Sequence, residues 1–318
     1  MGRRARAARA AAPWWARPLR GGGRMTSALE VVRTGAQVLL EDAGRPGLAA
    51  VGVGRSGAAD RGAYRLACRL VGHRDDPAAL EVLLGGLVVR ARGRVLVAVT
   101  GAVGPLVVGG RPAPHAAVLE LRDGAELALG APTAGLRSYL AVRGGLDVPA
   151  ALGSRSTDVL SGIGPAPVRP GDVLPVGPAP ATFPHVDHAV VPPPAPGEVV
   201  LDVLPGPRAS WVGGLASMTR GGWVVGPDSD RVGVRLRPVD APVERLPEHA
   251  GDELPSEGMV RGAVQLPPGG EAVVFLADHP VTGGYPVVAV LTEASADRAA
   301  QLRPGQAVRL RAVTTPAR

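Results

Sequence analysis

The chain of 318 residues contains no lysine and no asparagine, and it has one isoleucine (Ile163) and one cysteine (Cys68). Without lysine it cannot form a Schiff base, carry a biotinylated lysine or supply the lysine of a classical P-loop. Without asparagine it has no N-glycosylation site, and a single cysteine excludes an internal disulfide and a thiolate metal cluster. Because the codons of the missing residues are AT-rich, the composition indicates a GC-rich bacterial genome. We expect a cytoplasmic protein.

Aromatic residues are also scarce, at 3% of the chain, although 46% of its residues are hydrophobic. That apolar fraction excludes wholesale disorder, so the cores must be built from valine, leucine and alanine. No stretch of about 18 consecutive apolar residues occurs, and we therefore expect no membrane span. The length is enough for two domains.

The formal net charge of +7 comes from one end of the chain. Residues 1–24 contain seven of the 35 basic side chains and no acidic one, which leaves 28 basic against 28 acidic residues elsewhere. This segment lacks the apolar core of a signal peptide, and Met25 stands just before the first patterned stretch. We therefore interpret residues 1–28 as a basic extension that is disordered or mis-annotated, and we expect no nucleic-acid partner.

Short apolar runs separated by glycine and proline fill most of the chain, which is typical of a β-barrel or sandwich. Apolar residues with helical spacing predict one good helix at 59–71, and a short helix is predicted near 294–302. Seven prolines in residues 178–197 exclude a helix or a central strand, so this segment is interpreted as a linker. It separates an N-terminal half, 29–177, from a C-terminal half, 198–318.

A glycine-rich stretch precedes the predicted helix. Gly52, Gly54 and Gly57 fit the G-x-G-x-x-G pattern of dinucleotide-binding proteins, with Asp75 and Asp76 at about the expected distance. That fold needs alternating strands and helices, and the chain does not continue in that way. We therefore favour a loop whose glycines allow positive φ angles and a close backbone approach.

Standard catalytic motifs are missing from the sequence: there is no serine nucleophile elbow, no His-Glu-x-x-His and no paired-cysteine zinc pattern. His185 and His188 lie in the linker without a further ligand nearby, so we predict no metal site. Instead, acidic, arginine and hydroxyl residues occupy glycine-rich turns. Such residues can bind a carboxylate, a carbonyl or a phosphate, but they are equally ordinary turn caps and loop-pinning ion pairs.

Ten stretches carry a resemblance to a known family. In order, they are 41–47 (Glu-Asp-x-Gly-Arg-x-Gly), 52–60, 80–81, 137–149, 152–157 (Leu-Gly-Ser-Arg-Ser-Thr), 171–172, 204–207, 229–236, 256–258 and 281–286 (Val-Thr-Gly-Gly-Tyr-Pro). Together they resemble the family variously called the 5-oxoprolinase C subunit, KipI antagonist, allophanate hydrolase subunit 2 or biotin-dependent carboxyltransferase. The resemblance covers about residues 29–313. Glu41 stands where the family usually has glutamine.

The resemblance implies a mainly β fold of cyclophilin-like β-barrel architecture, with two β-barrel halves and few short helices. It implies a KipI-like partner, equivalent to the B subunit of 5-oxoprolinase, that shares the active site, and a third chain that resembles the A subunit. Such an assembly opens 5-oxoproline to glutamate with ATP, so ATP is the implied cofactor, bound in the complex by this chain or by a partner. The chain alone is then expected to be inactive.

The same resemblance implies the site residues. Arg45 and Arg155 would bind a carboxylate or phosphate, and Asp42 or Asp60 would orient the substrate or act as a base. The predicted catalytic residues are Asp42, Arg45, Ser56 and Asp60. The predicted substrate-binding residues are Ser154, Arg155, Ser156, Asp230, Arg231, Thr282, Gly283, Gly284 and Tyr285.

Two other functions stay open from the sequence. One is a biotin-dependent carboxyltransferase of the urea carboxylase type, with the biotin on another chain because this chain has no lysine. The other is a regulatory protein that sequesters a KipI-like inhibitor of a histidine kinase.

Overall fold

The structure is a computed structural model that describes residues 27–184, 186–249 and 251–314. In the N-terminal half the helix α1 (Arg61–Leu70) follows a 3-10 turn at Ala49–Val51. The strands of this half are β1 (Ala28–Arg33), β2 (Gln37–Glu41), β3 (Ala79–Leu83), β4 (Val88–Arg92), β5 (Val95–Val103), β6 (Leu106–Val108), β7 (Arg111–Pro112), β8 (Val118–Leu121), β9 (Glu126–Leu129), β10 (Ala134–Val142) and β11 (Val173–Pro175).

These strands form two sheets that share one core. Six strands are ordered β11-β1-β4-β9-β6-β7, and five are ordered β2-β3-β10-β5-β8. Alternation along each strand sends one set of side chains inward, as in β4, where Val89 and Ala91 are buried and Arg92 is exposed. Leu29 of β1 and Leu80 of β3 meet in the same cluster. Branched aliphatic side chains thus supply the core that the scarce aromatics cannot.

Helix α1 packs on the five-stranded sheet and confirms the helix predicted at 59–71. It begins where the Asp60 carboxylate accepts a hydrogen bond from the Ala63 amide at 2.9 Å, an ordinary N-cap. It ends before Gly72, whose φ of +91° turns the chain away. Tyr64, Ala67 and Leu70 are the buried face, and they pack against β5 and β10.

The C-terminal half is a closed barrel with two short helices, α2 (Leu215–Thr219) and α3 (Glu293–Ala299), and 3-10 turns at Ala209–Val212 and Pro247–His249. Its strands are β12 (Val199–Pro205), β13 (Trp223–Val225), β14 (Gly233–Pro238), β15 (Glu257–Gly258), β16 (Ala263–Gln265), β17 (Ala272–Phe275), β18 (Thr282–Gly283), β19 (Val287–Leu291) and β20 (Ala307–Ala312). The barrel closes in the order β12-β19-β16-β17-β14-β13-β20, while β15 and β18 form a separate ribbon.

The predicted mainly β fold, with a barrel and few short helices, is confirmed. The short helix predicted near 294–302 is α3, but the sequence analysis did not predict α2, because five residues are too few for a helical period to show. The predicted basic extension lies outside the described residues up to position 26, and so does His185 of the linker. Within the described ranges, no helix has the length and apolar character needed to cross a membrane.

Candidate active site between the two halves

A buried ionic cluster joins the two halves. Arg231, just before β14, is 2% exposed. Its Nη1 donates to Glu81 Oε1 at 2.5 Å, and its Nε donates to Asp278 Oδ2 at 2.9 Å. Its Nη2 also lies 3.2 Å from Glu41 Oε1. Because Glu41 and Glu81 belong to strands of the N-terminal half, the C-terminal Arg231 ties the halves together electrostatically.

The two glutamates of this cluster differ in the direction of their pKa shifts. Arg137 completes the cluster, with its Nε 3.3 Å from Glu81 Oε1. Although burial opposes it, the charges of Arg231 and Arg137 lower the pKa of Glu81. By contrast, burial raises the pKa of Glu41 well above its ordinary value, although the charge of Arg231 opposes this. The cluster therefore favours the ionised form of Glu81 and disfavours that of Glu41.

Ser56 bridges the halves by a hydrogen bond rather than facing solvent. The residue is fully buried, with a positive φ of +55°, and its Oγ donates to Asp278 Oδ1 at 2.7 Å. The second oxygen of Asp278 accepts from the Val159 amide at 3.0 Å. The structure thus places Ser56 in a position to orient Asp278, and its predicted catalytic role stays a prediction.

Asp42 is the centre of a second network. Its carboxylate accepts hydrogen bonds from Ser154 Oγ and Ser156 Oγ at 2.6 Å, from the Arg155 amide at 2.6 Å and from the Gly44 amide at 2.7 Å. Four donors occupy both oxygens, so Asp42 holds the turn at 154–156 against the end of β2. The structure brings these predicted residues together, as expected, in a positioning arrangement.

Asp60 connects the N-cap of α1 to the ionic cluster. Its Oδ2 accepts from Gln301 Nε2 at 2.7 Å, and its amide donates to Tyr139 Oη at 2.7 Å. Tyr139 Oη in turn donates to Glu81 Oε2 at 2.8 Å. Burial, with a contribution from Asp297, raises the pKa of Asp60 from 3.8 to about 6. Asp60 also lines an apolar groove of about 580 Å³ beneath linker residues 191–195.

Arg45 is a buried arginine that has no carboxylate partner among the residues that the structure describes. The side chain is 2% exposed, and its Nη2 donates to the Ser156 carbonyl oxygen. Its Nε and Nη1 have no hydrogen-bond partner among the described residues. Guanidinium is charged at every physiological pH, so the charge cannot be removed by loss of a proton.

Arg45 lines an open cleft between the two halves. The cleft, of about 370 Å³, is lined by residues 45–49, 53–55 and 61 of the N-terminal half and by residues 259–261, 279, 281 and 293 of the C-terminal half. Four arginines contribute to this lining, and Glu293 is the one carboxylate among the described lining residues. The cleft is therefore electropositive.

Two more arginines, Arg61 and Arg261, line the same cleft. Burial, Arg261 and Arg55 together lower the pKa of Arg61 to about 10. The Arg261 side chain is 7% exposed, and its Nη2 donates to the Ala59 carbonyl at 2.7 Å and to Asp297. Burial also lowers the pKa of the neighbouring His279.

Three of the predicted substrate-binding residues use their side chains in contacts within the chain. Asp230 caps its own turn, accepting from the Gly233 amide at 3.0 Å. Arg155 is pinned at the surface, where its Nη2 donates to Asp147 at 3.0 Å. The third, Arg231, is the centre of the buried cluster and has no free edge for a substrate.

The predicted segment Thr282–Tyr285 lies on the ribbon beside the cleft. Thr282 and Gly283 pair with Gly258 and Glu257 of β15, and Gly284 follows. The Tyr285 side chain is 46% exposed. Val281, one residue earlier, lines the cleft, so the segment borders the site without entering it. Substrate contacts by these residues stay a prediction.

Several residues of the site were not predicted from the sequence. Asp278 closely follows the buried strand β17. A charged residue directly after an apolar run could have indicated a site residue at this position. Glu81 was part of the resemblance but was given no role. Arg61 and Arg261 stand alone in the sequence, 200 positions apart, and only the fold brings them to one cleft.

Comparison with known proteins places the chain in a family. A family model described as "Carboxyltransferase domain, subdomain A and B" matches residues 51–312. The chain belongs to this carboxyltransferase family. Over 293 residues it is 33% identical to the C subunit of 5-oxoprolinase from Escherichia coli (strain K12), and the match covers 88% of this chain and 89% of that relative. The family resemblance read from the sequence is thereby confirmed.

Solved structures of larger proteins contain the same carboxyltransferase fold. The crystal structure of TTHA0988 matches with a TM-score of 0.80 at 32% identity, over 91% of this chain and 57% of that one. The K. lactis urea amidolyase matches with a TM-score of 0.81 at 28% identity, over 90% of this chain and 19% of that one. This chain thus spans little more than half of the first protein and about a fifth of the second.

Proposed function

We propose that this chain is the C subunit of an ATP-dependent 5-oxoprolinase, which opens 5-oxoproline to glutamate. The observation that carries the proposal is the near end-to-end match to a 5-oxoprolinase C subunit, over 88% of this chain and 89% of the relative. A match to one segment of a much longer enzyme, as with urea amidolyase, would not indicate a separate subunit in the same way.

We place the active site of that complex at the electropositive cleft. The cleft is open, and hydrophobic side chains stand exposed at its edge: Val260 of the lining is 54% exposed, and Val51, between lining residues 49 and 53, is 73% exposed. Exposed apolar side chains around a charged cleft are typical of a protein contact. A KipI-like partner, the B-like chain of the complex, would close the cleft when seated there and exclude water from the substrate.

We assign the ATP site of the complex to a partner chain. This chain has no lysine and hence no classical P-loop. Its own contribution would be to bind and orient the acid substrate, while Asp42, Ser56 and Asp278 keep the surrounding turns in place. The A-like chain would complete the assembly, and this chain alone would be inactive.

A carboxyltransferase role is the second candidate. The family description and the TM-score of 0.81 with the K. lactis urea carboxylase favour it. Any carboxybiotin would have to be carried by another chain, since a lysine is needed for its attachment and this chain has none. The electropositive cleft would then receive a carboxyl group in transfer.

Reconstitution separates these functions. ATP hydrolysis is measured with and without 5-oxoproline, for this chain alone and mixed with its B-like and A-like neighbours. We expect 5-oxoproline-dependent ATP hydrolysis and glutamate formation only in the full mixture. A stable complex with the B-like chain but no turnover would contradict the 5-oxoprolinase proposal, and would point to carboxyl transfer or to the regulatory role.

A further inference from the structure

The buried guanidinium of Arg45 has unused donors and no hydrogen-bonded carboxylate among the described residues. A buried ion without a counter-ion is strongly unfavourable, so proteins pair or hydrogen-bond such groups almost without exception. Of the five N–H donors of Arg45, the three on Nε and Nη1 have no described partner. Two carboxylates of the surrounding networks are already occupied: the half-buried Asp42 holds its four donors, and the buried Asp278 pairs with Arg231.

Two other arginines that line the cleft also have donors without a described partner. The Arg61 guanidinium makes no hydrogen bond or ion pair with a described residue, although its backbone amide donates to Asp297 Oδ1 at 3.0 Å. Arg261 Nε is buried and has no partner among the residues that the structure describes. Asp297 cannot serve all of these donors, because its oxygens already accept from Arg261 Nη2 and from the amides of Arg61 and Gly62.

We propose that Arg45, Arg61 and Arg261 form a binding site for the carboxylate of a small organic acid. Arg45 and Arg61 would reach the carboxylate from the N-terminal half, and Arg261 would reach it from the C-terminal half. Guanidinium groups match carboxylate oxygens in geometry as well as charge. The identification of that acid as 5-oxoproline rests on the proposed function, but the carboxylate site itself does not.

The rest of the cleft specifies a compact ligand body. Apolar side chains complete its walls, among them Leu48, Val53, Met259 and Val281. A volume of about 370 Å³ is near the lower end of small-molecule sites. An acid whose carboxylate is attached to a small, largely apolar ring satisfies both the charged and the apolar parts of the lining.

The proposed site predicts an unusual effect of Arg45→Met on the melting temperature. For a residue that only supports the fold, replacement lowers the melting temperature under all conditions. Here the ligand-free variant keeps or raises the melting temperature, because a buried uncompensated charge is exchanged for an apolar side chain of similar length. The stabilisation that a bound carboxylate gives to the wild type is lost.

The test measures ligand binding by calorimetry and thermal shift at low salt, for this chain alone and in complex with its B-like partner. The probes are 5-oxoproline, its carboxylate-free analogue 2-pyrrolidinone, bicarbonate and inorganic phosphate. The variants are Arg45→Met, Arg61→Gln and, as a matched control on an exposed turn, Arg122→Met. We expect 5-oxoproline to bind, 2-pyrrolidinone not to bind, and Arg45→Met to weaken binding about tenfold to a hundredfold. Arg61→Gln, at a half-buried position, should fold and weaken binding in the same direction.

The binding measurements decide whether the carboxylate site exists, and turnover decides only the 5-oxoprolinase assignment. Binding of 5-oxoproline without ATP-dependent turnover keeps the carboxylate site and removes the 5-oxoprolinase assignment. Preference for bicarbonate keeps the site and favours carboxyl transfer. Tighter binding of phosphate than of either carboxylate overturns the ligand class. Absence of carboxylate binding in both the chain and the complex, or binding that neither Arg45→Met nor Arg61→Gln weakens, overturns the site.

Discussion

At the scale of single residues, the buried polar groups divide into those that satisfy one another and those that do not. The Asp42 carboxylate has four donors, and Asp278 has both of its oxygens occupied. Arg45 and Glu41 are among the exceptions, as are Arg261 Nε and His115 Nδ1, because these buried atoms lack hydrogen bonds to described groups. Burial raises the pKa of Glu41, whereas our proposal assigns an external anion to the charge of Arg45.

Glu41→Gln tests the raised pKa of Glu41. Because the pKa of Glu41 in the folded chain is raised above its unfolded value, its carboxyl contributes stability at low pH that is lost as pH rises through the folded pKa. Glutamine mimics the neutral form at all pH values. We therefore expect the variant to be at least as stable as wild type at pH 8, and the difference in its favour to shrink toward pH 4. Urea denaturation across that range measures it.

Glu81→Gln is the matched control in the same cluster. The Glu81 carboxylate accepts from the Ala59 amide at 3.0 Å and from Tyr139 at 2.8 Å, and it pairs with Arg231. Its loss leaves donors and a guanidinium uncompensated, at a cost of about 3 kcal/mol or more in the free energy of unfolding. Equal destabilisation by the two substitutions would contradict the opposite directions of the Glu41 and Glu81 pKa shifts.

At the scale of elements, the turn that follows Thr157 shapes the floor beneath Arg45. Asp158 closes it, accepting from the Leu160 amide at 3.0 Å while its own amide donates to the Ile163 carbonyl at 2.9 Å. Gly164 then passes so close to Ser156 that a Cβ would lie 2.0 Å from the carbonyl oxygen. That same carbonyl is the one that accepts from Arg45, so the turn and the guanidinium depend on one backbone position.

Two glycine substitutions in this turn separate the cost of a positive φ angle from the cost of a steric collision. Gly164 and Gly162 both have positive φ, +107° and +70°, but nothing lies within 4 Å of a Cβ at Gly162. We expect Gly162→Ala to cost about 1 kcal/mol from the backbone conformation alone. Gly164→Ala, which adds a backbone collision, should cost about 3 kcal/mol or more and weaken carboxylate binding. Similar urea midpoints for the two variants would refute this account of the turn.

The elements themselves were the most predictable level. Periodicity and glycine placement predicted α1 and the β-rich character of the chain, because both depend on residues close in the sequence. The loop interpretation of the glycine-rich stretch was also right: a Cβ at Gly57 would lie 2.9 Å from the backbone of Ala43 and Gly44. The local sequence pattern did not predict α2 or the pairing of β15 with β18, because these elements are too short to show a hydrophobic period.

At the scale of the whole molecule, the site exists only because the halves pack together. Motif matching found Asp42, Arg45 and Ser56, but it did not indicate which side chains would be sealed in networks and which would face the cleft. Arg61 and Arg261 meet through the docking of α1 against α3, where Asp297 accepts from the amides of Arg61 and Gly62. No residue spacing in the sequence predicts this contact.

The most direct test of the whole account is the kcat/KM for 5-oxoproline of the reconstituted complex, with Arg45→Met compared against wild type and the exposed control Arg122→Met. If the cleft binds the substrate carboxylate, Arg45→Met lowers kcat/KM about tenfold to a hundredfold, while the control stays at the wild-type value and both variants remain folded. An Arg45→Met complex that turns over 5-oxoproline as efficiently as wild type would contradict the account.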